Sequence, residues 1–289
     1  MRLIGLYREA ELSPGPHRSN DAALLELVAA SLRANGYDVN LMMVEDATAV
    51  PPPASLVFSM CQGPRALDLL MQWERGGARL VNSPRASLNT YRDRLPALMH
   101  RAGIPFPATT LIETNHGSVP NPALVQANGG VWLKRGDVHA SVSADVQWVD
   151  SSTGLREGLR DFAARGIERA AVQHHRAGDE IKFYGVAGDV FFHWFYPKEQ
   201  PGGADRHTFD PGALRRLAAR AAATAGLDIF GGDVIVAPGG ELTLIDLNDW
   251  PSFAPCRDQA AAAIAGYLMR RVDVAWNPSL VSSANESAI

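Results

Sequence analysis

"ELTLIDLNDWPSF", residues 241–253, begins as an apolar strand and then delivers Asp246, Asn248 and Asp249. Side chains two apart on a strand share a face, so alternation predicts Leu244, Asp246 and Asn248 on one side and Thr243, Ile245 and Leu247 on the other. Just upstream, "GGDVIVAPGG" (231–240) reads as the partner strand of a hairpin, with Gly239-Gly240 as a two-residue loop in which both positions take positive φ. On that register Pro238 faces Glu241 and Asp233 faces Asp246. Directly opposed Cβ atoms lie about 4.5 to 5.5 Å apart, and like charges there repel unless a cation intervenes. Asp233, Asp246 and Asn248 offer hard oxygens only, a donor set suited to Mg²⁺ completed by phosphate. The plainer reading is a solvated strand end, with Asn248 and Asp249 serving the turn into "WPSF".

Composition narrows the context. The chain has 289 residues, 46% hydrophobic and 20% charged, which is ordinary for a globular enzyme of two or three domains. A net charge of −4 argues against nucleic acid or an anionic membrane as partner. Cys61 and Cys256 have no metal-type spacing and are too few for a disulfide framework, so a reducing, cytoplasmic setting is expected. Neither a signal segment nor a membrane-length apolar run is read.

Working outward, the first eighty residues alternate strand and helix: "RLIGLY", "NDAALLELVAASLRANG", "DVNLMMV", "SLVFSM", "RALDLLMQWERGG" and "ARLVN". That order predicts a βαβ domain. Its first helix is expected to start at a cap among Ser19, Asn20 and Asp21, to bury Leu24, Val28 and Leu32, and to end at Asn35-Gly36. Further on, the pattern predicts strands at "VWLKR" and "RAAVQHH", a helix between them, and a hairpin in "IKFYGVAGDVFFHWFY" turning near Gly188. A helix over 210–226 is expected with Asp210 as cap, Pro211 in its first turn and Gly226 closing it, then a last helix in "RDQAAAAIAGYLMRR".

A magnesium site of this kind calls for a polyphosphate, yet no GxxxxGK[ST] loop and no helix-opening GxGxxG are present. Lys134 in "GGVWLKRGD" and Lys182 in "GDEIKFYGV" lie in otherwise apolar strands, where an ammonium can meet a phosphate as a compact charge.

In order, "LVNSPRASLNTYRDRLPALMHRAGIPFPATT", "VWLKRGD", "AVQHHRAGDEIKFYGVAGDVFF", "AGLDIFGGDVIVAPGG" and "LTLIDLNDWPSF" resemble the ATP-grasp superfamily over roughly residues 80–270, in the manner of RimK-like carboxylate-amine ligases. The resemblance implies an α/β fold, α+β in its ATP-grasp part. A pre-ATP-grasp βαβ domain would cover 1–81, a helical linker 82–109, a lid subdomain 110–178, a metal-bearing antiparallel subdomain 179–275 and a flexible tail 276–289. It implies that Lys134 touches the α- and β-phosphates, that Gln173, His174 and His175 form the adenine-reading strand, and that Glu180 meets the ribose. Lys182 would contact phosphate, and Asp233, Asp246 and Asn248 would hold two Mg²⁺ ions, with Mn²⁺ a compatible substitute.

Two departures stand out: Arg92 occupies a nucleotide-contact position where the family carries lysine, and the loop "RGDVHASVSADVQ" after Lys134 has a single glycine and His139. The implied chemistry is transfer of the γ-phosphoryl of ATP to a carboxylate, then attack by an amine. Lys182 and Arg257 are the expected catalytic residues, and Arg8, His17, Arg18 and Arg65 further candidates for gripping an anionic small-molecule substrate. "IKFYGVAGDV" and "IDLNDWPSF" are also similar to inositol phosphate kinases of the same fold, which makes a small-molecule kinase the alternative; a nucleotide-binding module without catalysis is the third reading. A homodimer is compatible with all of them.

Overall fold

The computed structural model describes residues 1–13, 15–51, 53–116, 125, 129–140, 142–197 and 206–276. The expected tail beyond 276 and Pro52 of the "VPPPAS" connector lie outside the described residues, and nothing is described of the His17 side chain. The chain forms two compact units. One comprises Met1–Pro84, Gly188–Phe191 and the chain from Trp250, and the other Arg85–Ala187 with Phe192–Asp249.

The first unit holds a parallel sheet in the order β2-β1-β3-β4, from β1 (Arg2–Leu6), β2 (Asp38–Met42), β3 (Leu56–Ser59) and β4 (Leu80–Val81). Helices α1 (Pro16–Ala34) and α2 (Pro64–Arg75) make the crossovers that parallel strands require. Leu24, Val28 and Leu32 are buried as the pattern predicts, and Asn35 and Gly36 (φ 84°) end α1. Its start differs from expectation. The helix begins at Pro16 behind Gly15, with no side-chain cap, because a proline at the first position supplies a helical φ and lacks only an N–H that would be unpaired anyway. A last helix, Arg257–Trp276, packs on α1 in this same unit. Trp250 is buried there, stacked on Phe58 at 6.3 Å, with its indole N–H donating to the Val81 carbonyl at 3.3 Å. The subdomain expected over 179–275 is therefore divided at Trp250.

The second unit contains two antiparallel four-stranded sheets. One has the order β5-β8-β6-β7, from β5 (Thr109–Glu113), β6 (Val131–Arg135), β7 (Val146–Val149) and β8 (Arg169–His174). Short helices α3 (Pro84–Asn89) and α4 (Leu95–Arg101) precede it. Phe162, Leu155 and Leu159 of α5 (Ser152–Ala164) bury Val131, Leu133 and Val172 of the sheet. The other sheet has the order β10-β9-β11-β12, from β9 (Asp179–Val186), β10 (Phe191–Phe195), β11 (Ile229–Val236) and β12 (Leu242–Asp249). Helix α6 (Pro211–Ala225) covers one of its faces with Leu214, Leu217 and Ala221 against Phe183, Val234 and Leu247. Asp210 caps α6 by accepting from Gly212 N–H, and Gly226 closes it in the left-handed region, as expected. The last helix, Arg257–Trp276, is α7. No described helix is long and apolar enough to cross a membrane.

Candidate nucleotide and metal site

The hairpin β11–β12 puts Asp233 opposite Asp246, as the sequence predicts, but by a different route. Its loop has three residues, Pro238 to Gly240, closed by Ala237 N–H to the Glu241 carbonyl, and only Gly240 has positive φ. Near the loop Val236 therefore pairs with Leu242 and Val234 with Leu244. A bulge then leaves Ile245 without a ladder partner and shifts the register by one, restoring Asp233 against Asp246. The extra residue also breaks the alternation expected for this strand. Leu244 and Leu247 both enter the core under α6, whereas Ile245 and Asp246 both line the cavity on the other face.

That cavity, about 420 Å³, lies within the second unit. Lys134 and Trp132, two apart on β6, share a face and line it together. The bulge turns the Ile245 carbonyl toward the other sheet, where Lys134 Nζ (3.4 Å) and Gln173 Nε2 (3.2 Å) both donate to it. Gln173 and Lys134 are thus tied to β12 by one oxygen. His174 and His175 line the same space; the Trp132 indole donates to His175 Nδ1 at 3.3 Å, and Trp148 meets both rings edge-on at 5.2 to 5.3 Å. Gly178 borders the cavity at a point where a Cβ would stand 2.2 Å from the Val236 carbonyl oxygen.

Two side-chain cations answer the repulsion between the opposed acids. Arg92, between α3 and α4, donates from Nη2 to Asp246 Oδ2 at 2.5 Å, and Lys182 Nζ joins Asp233 Oδ1 at 2.9 Å and Glu180 Oε1 at 3.2 Å. Burial favours the protonated form of Asp246, but Arg92 and then Lys134 outweigh it and hold the carboxyl at about 2. For Asp233 burial prevails and raises the pKa despite Lys182. Burial works against the Lys182 charge as well, yet Asp233 and Glu180 overcome it and raise its pKa. Lys134 lacks so close a partner among the described residues; burial brings its ammonium down to about 8, with Asp246 opposing the shift. Arg92 is buried, and its Nε and Nη1 have no hydrogen-bond partner among the described residues. Buried donors left over in this way fit an anionic ligand such as phosphate.

Of the expected metal ligands, Asp233 and Asp246 converge, and both present hard oxygens that suit Mg²⁺. Asn248 lies farther along β12, opposite Gly231, and does not line the cavity. Among the described residues no three His, Cys, Asp or Glu side chains form a metal cluster. Glu180, expected at a ribose, is paired with Lys182. His139 carries a positive influence on Asp246 from the glycine-poor loop.

The remaining candidates lie in the first unit. Arg8 is committed to Asp21 at 2.8 Å and to the Trp250 carbonyl at 2.6 Å. Arg65 is exposed on α2, and Arg18 borders a smaller cavity of about 200 Å³. Arg257, at the start of α7, donates to Asn20 Oδ1 at 2.7 Å. Cys61 is buried and donates to the Tyr7 carbonyl, and burial raises its pKa; Cys256 is likewise buried and raised to about 11. Two parts of the site escape the sequence reading: Trp132, which its spacing from Lys134 would mark, and the Ile245 carbonyl, which no side-chain pattern marks.

No protein-family model matches the chain, and no curated protein sequence matches it. Solved structures do. D-alanyl-alanine synthetase A from Vibrio cholerae is 12% identical with a TM-score of 0.71, covering 94% of this chain and 97% of its own. D-alanine-D-alanine ligase from Coxiella burnetii, 12% identical, has a TM-score of 0.72 over 99% of this chain and 100% of its own. A RimK domain ATP-grasp protein from Sphaerobacter thermophilus is 19% identical with a TM-score of 0.67, over 92% and 99%. At these identities the likeness is one of fold, and it extends over nearly the whole of each chain.

Proposed function

The chain has the ATP-grasp fold, and on that premise we propose that it is an ATP-dependent ligase that activates a carboxylate as an acylphosphate and couples it to an amine. The observation that carries this reading is the opposed pair Asp233 and Asp246, interleaved with Arg92, Lys134 and Lys182 beside an aromatic and aliphatic lining. Such a cavity matches a nucleoside triphosphate. The base would lie against Trp132 and the Gln173–His175 strand, Glu180 would meet the ribose, and the phosphates would meet Arg92, Lys134 and Lys182. Asp233 and Asp246 would hold Mg²⁺, which when bound draws off negative charge from the phosphate oxygens.

The chemistry asks for positioning and charge neutralisation, not a protein nucleophile. A substrate carboxylate oxygen attacks the γ-phosphorus, the bond to the β-phosphate oxygen breaks, and ADP leaves. The amine then displaces inorganic phosphate from the acyl carbon. Arg92, Lys134 and Lys182 hold the spreading phosphoryl charge, and Lys182 is the proposed catalytic cation because it already stands against Asp233. Neither cysteine is required, in keeping with two packed thiols.

The test is incubation with MgATP, a panel of amino acids and hydroxylamine. Hydroxamate with stoichiometric ADP is the expected result. ADP accompanied by a phosphorylated polyol would replace the ligase reading with a kinase, and absence of MgATP binding by calorimetry would remove both.

A further inference from the structure

Resting on the nucleotide reading above, we propose that Arg92 and Lys182 are exchangeable counterions. They neutralise Asp246 and Asp233 until phosphates take the two cations over, so the site accepts a divalent metal only together with nucleotide.

Both acids expected to bind metal already have a cation at hydrogen-bond distance, Arg92 at 2.5 Å from Asp246 and Lys182 at 2.9 Å from Asp233. The first of these pairs is the more sheltered, with each side chain 9% exposed. Lys182 also holds Glu180, and Lys134 stands close enough to feel Asp246, Arg92, Asp233 and Glu180 together. Arg92, Lys134 and Lys182 therefore balance Asp233, Asp246 and Glu180. A divalent ion arriving alone would add two positive charges among three cations, and would have to displace ammonium or guanidinium from the oxygens it needs.

A triphosphate changes each of those terms. It supplies negative charge and acceptor oxygens for Arg92, whose Nε and Nη1 have no partner among the described residues. As the phosphates engage Arg92 and Lys182, the carboxylates are released to the metal. Coupling of this kind is reciprocal, so nucleotide must raise metal affinity by the same factor that metal raises nucleotide affinity. Arginine at 92 suits the exchange, because a guanidinium carries several donors in a planar fork that matches phosphate oxygens once it leaves Asp246.

The probe is Mn²⁺, followed by the electron paramagnetic resonance signal of the free ion. With wild-type protein alone the free-ion signal should be unchanged at micromolar Mn²⁺. With a non-hydrolysable ATP analogue it should fall beyond what the analogue alone removes, a gain of about tenfold or more in affinity. Arg92→Gln and Lys182→Gln should each let Mn²⁺ bind without nucleotide, with circular dichroism confirming the fold. The wild-type arm stands even if both variants misfold. Wild type binding Mn²⁺ equally well with and without the analogue would overturn the proposal. Analogue binding, read separately by calorimetry, distinguishes that outcome from failure of the nucleotide reading itself, in which no analogue binds.

Discussion

Replacing Lys134 with methionine should stabilise the protein while destroying its nucleotide site. Lys134 is 6% exposed, its hydrogen bond to the Ile245 carbonyl is a long 3.4 Å contact, and its pKa falls from 10.5 to about 8. The sign follows from linkage: a base whose folded pKa is lowered holds its proton less tightly than in the unfolded chain, so stability is lowest below about pH 8 and rises toward pH 10.5. A shift of that size corresponds to about 3 kcal/mol at neutral pH, net of the attraction to Asp246. Methionine keeps an unbranched chain of similar length and adds no charge. Urea unfolding of wild type and Lys134→Met at pH 7 and pH 10 should show the variant more stable at pH 7 by up to about 3 kcal/mol, with the advantage shrinking at pH 10. Calorimetry at pH 7 should show MgATP binding lost in the same variant. A less stable variant at pH 7, or one that still binds MgATP with wild-type affinity, would refute the reasoning.

Asp246→Asn should abolish turnover in the hydroxylamine assay with the fold intact by circular dichroism, because the amide surrenders both the Arg92 ion pair and a metal oxygen; full activity in that variant would remove the metal role. Gly240→Ala forces a side chain into φ 84° with its Cβ 2.9 Å from the Thr208 carbonyl oxygen, and should lower stability by about 1–3 kcal/mol in urea unfolding. Phe162→Ala empties the core beneath β6 and β8 and should cost about 3–5 kcal/mol, with hydrogen exchange rising first in the sheet β5-β8-β6-β7. Acidification should also weaken the molecule: the Arg92–Asp246 pair contributes in full above the unfolded carboxyl pKa, and that contribution disappears as pH falls through about 2.

The sequence is most legible where one residue type has one local use. Asp210, Pro211 and Gly226 mark both ends of α6 because a cap, a preset φ and a left-handed stop are each properties of a single position. At α1 that logic misleads. Ser19, Asn20 and Asp21 are all good caps, but Pro16 already starts the helix, and Asp21 is drawn instead into bonds with Arg8 and Ser13 that only the fold brings near. The ion pairs of the site are illegible for a similar reason. Arg92 and Asp246 are 154 residues apart, and nothing local to either announces the other.

The central hairpin shows why a correct site can come from an incorrect register. Treating Gly239-Gly240 as the loop is wrong by one residue, and ignoring the bulge at Ile245 is wrong by one in the opposite sense, so the two errors cancel at Asp233 and Asp246 and nowhere nearer the turn. With only one of them, Asp233 would be read against Ile245 or Leu247 in place of Asp246, and the opposed acids would be missed. The bulge is also what the site requires. An unbroken strand would put Leu244 on the face of Asp246 and turn Ile245 away, whereas the extra residue sends two leucines inward and aims the Ile245 carbonyl at Lys134 and Gln173. Deleting Ile245 should therefore do more harm to nucleotide affinity than Ile245→Ala, which keeps the carbonyl and the register. Equal MgATP affinities for the two variants by calorimetry would show that the backbone offset at this position does not build the site.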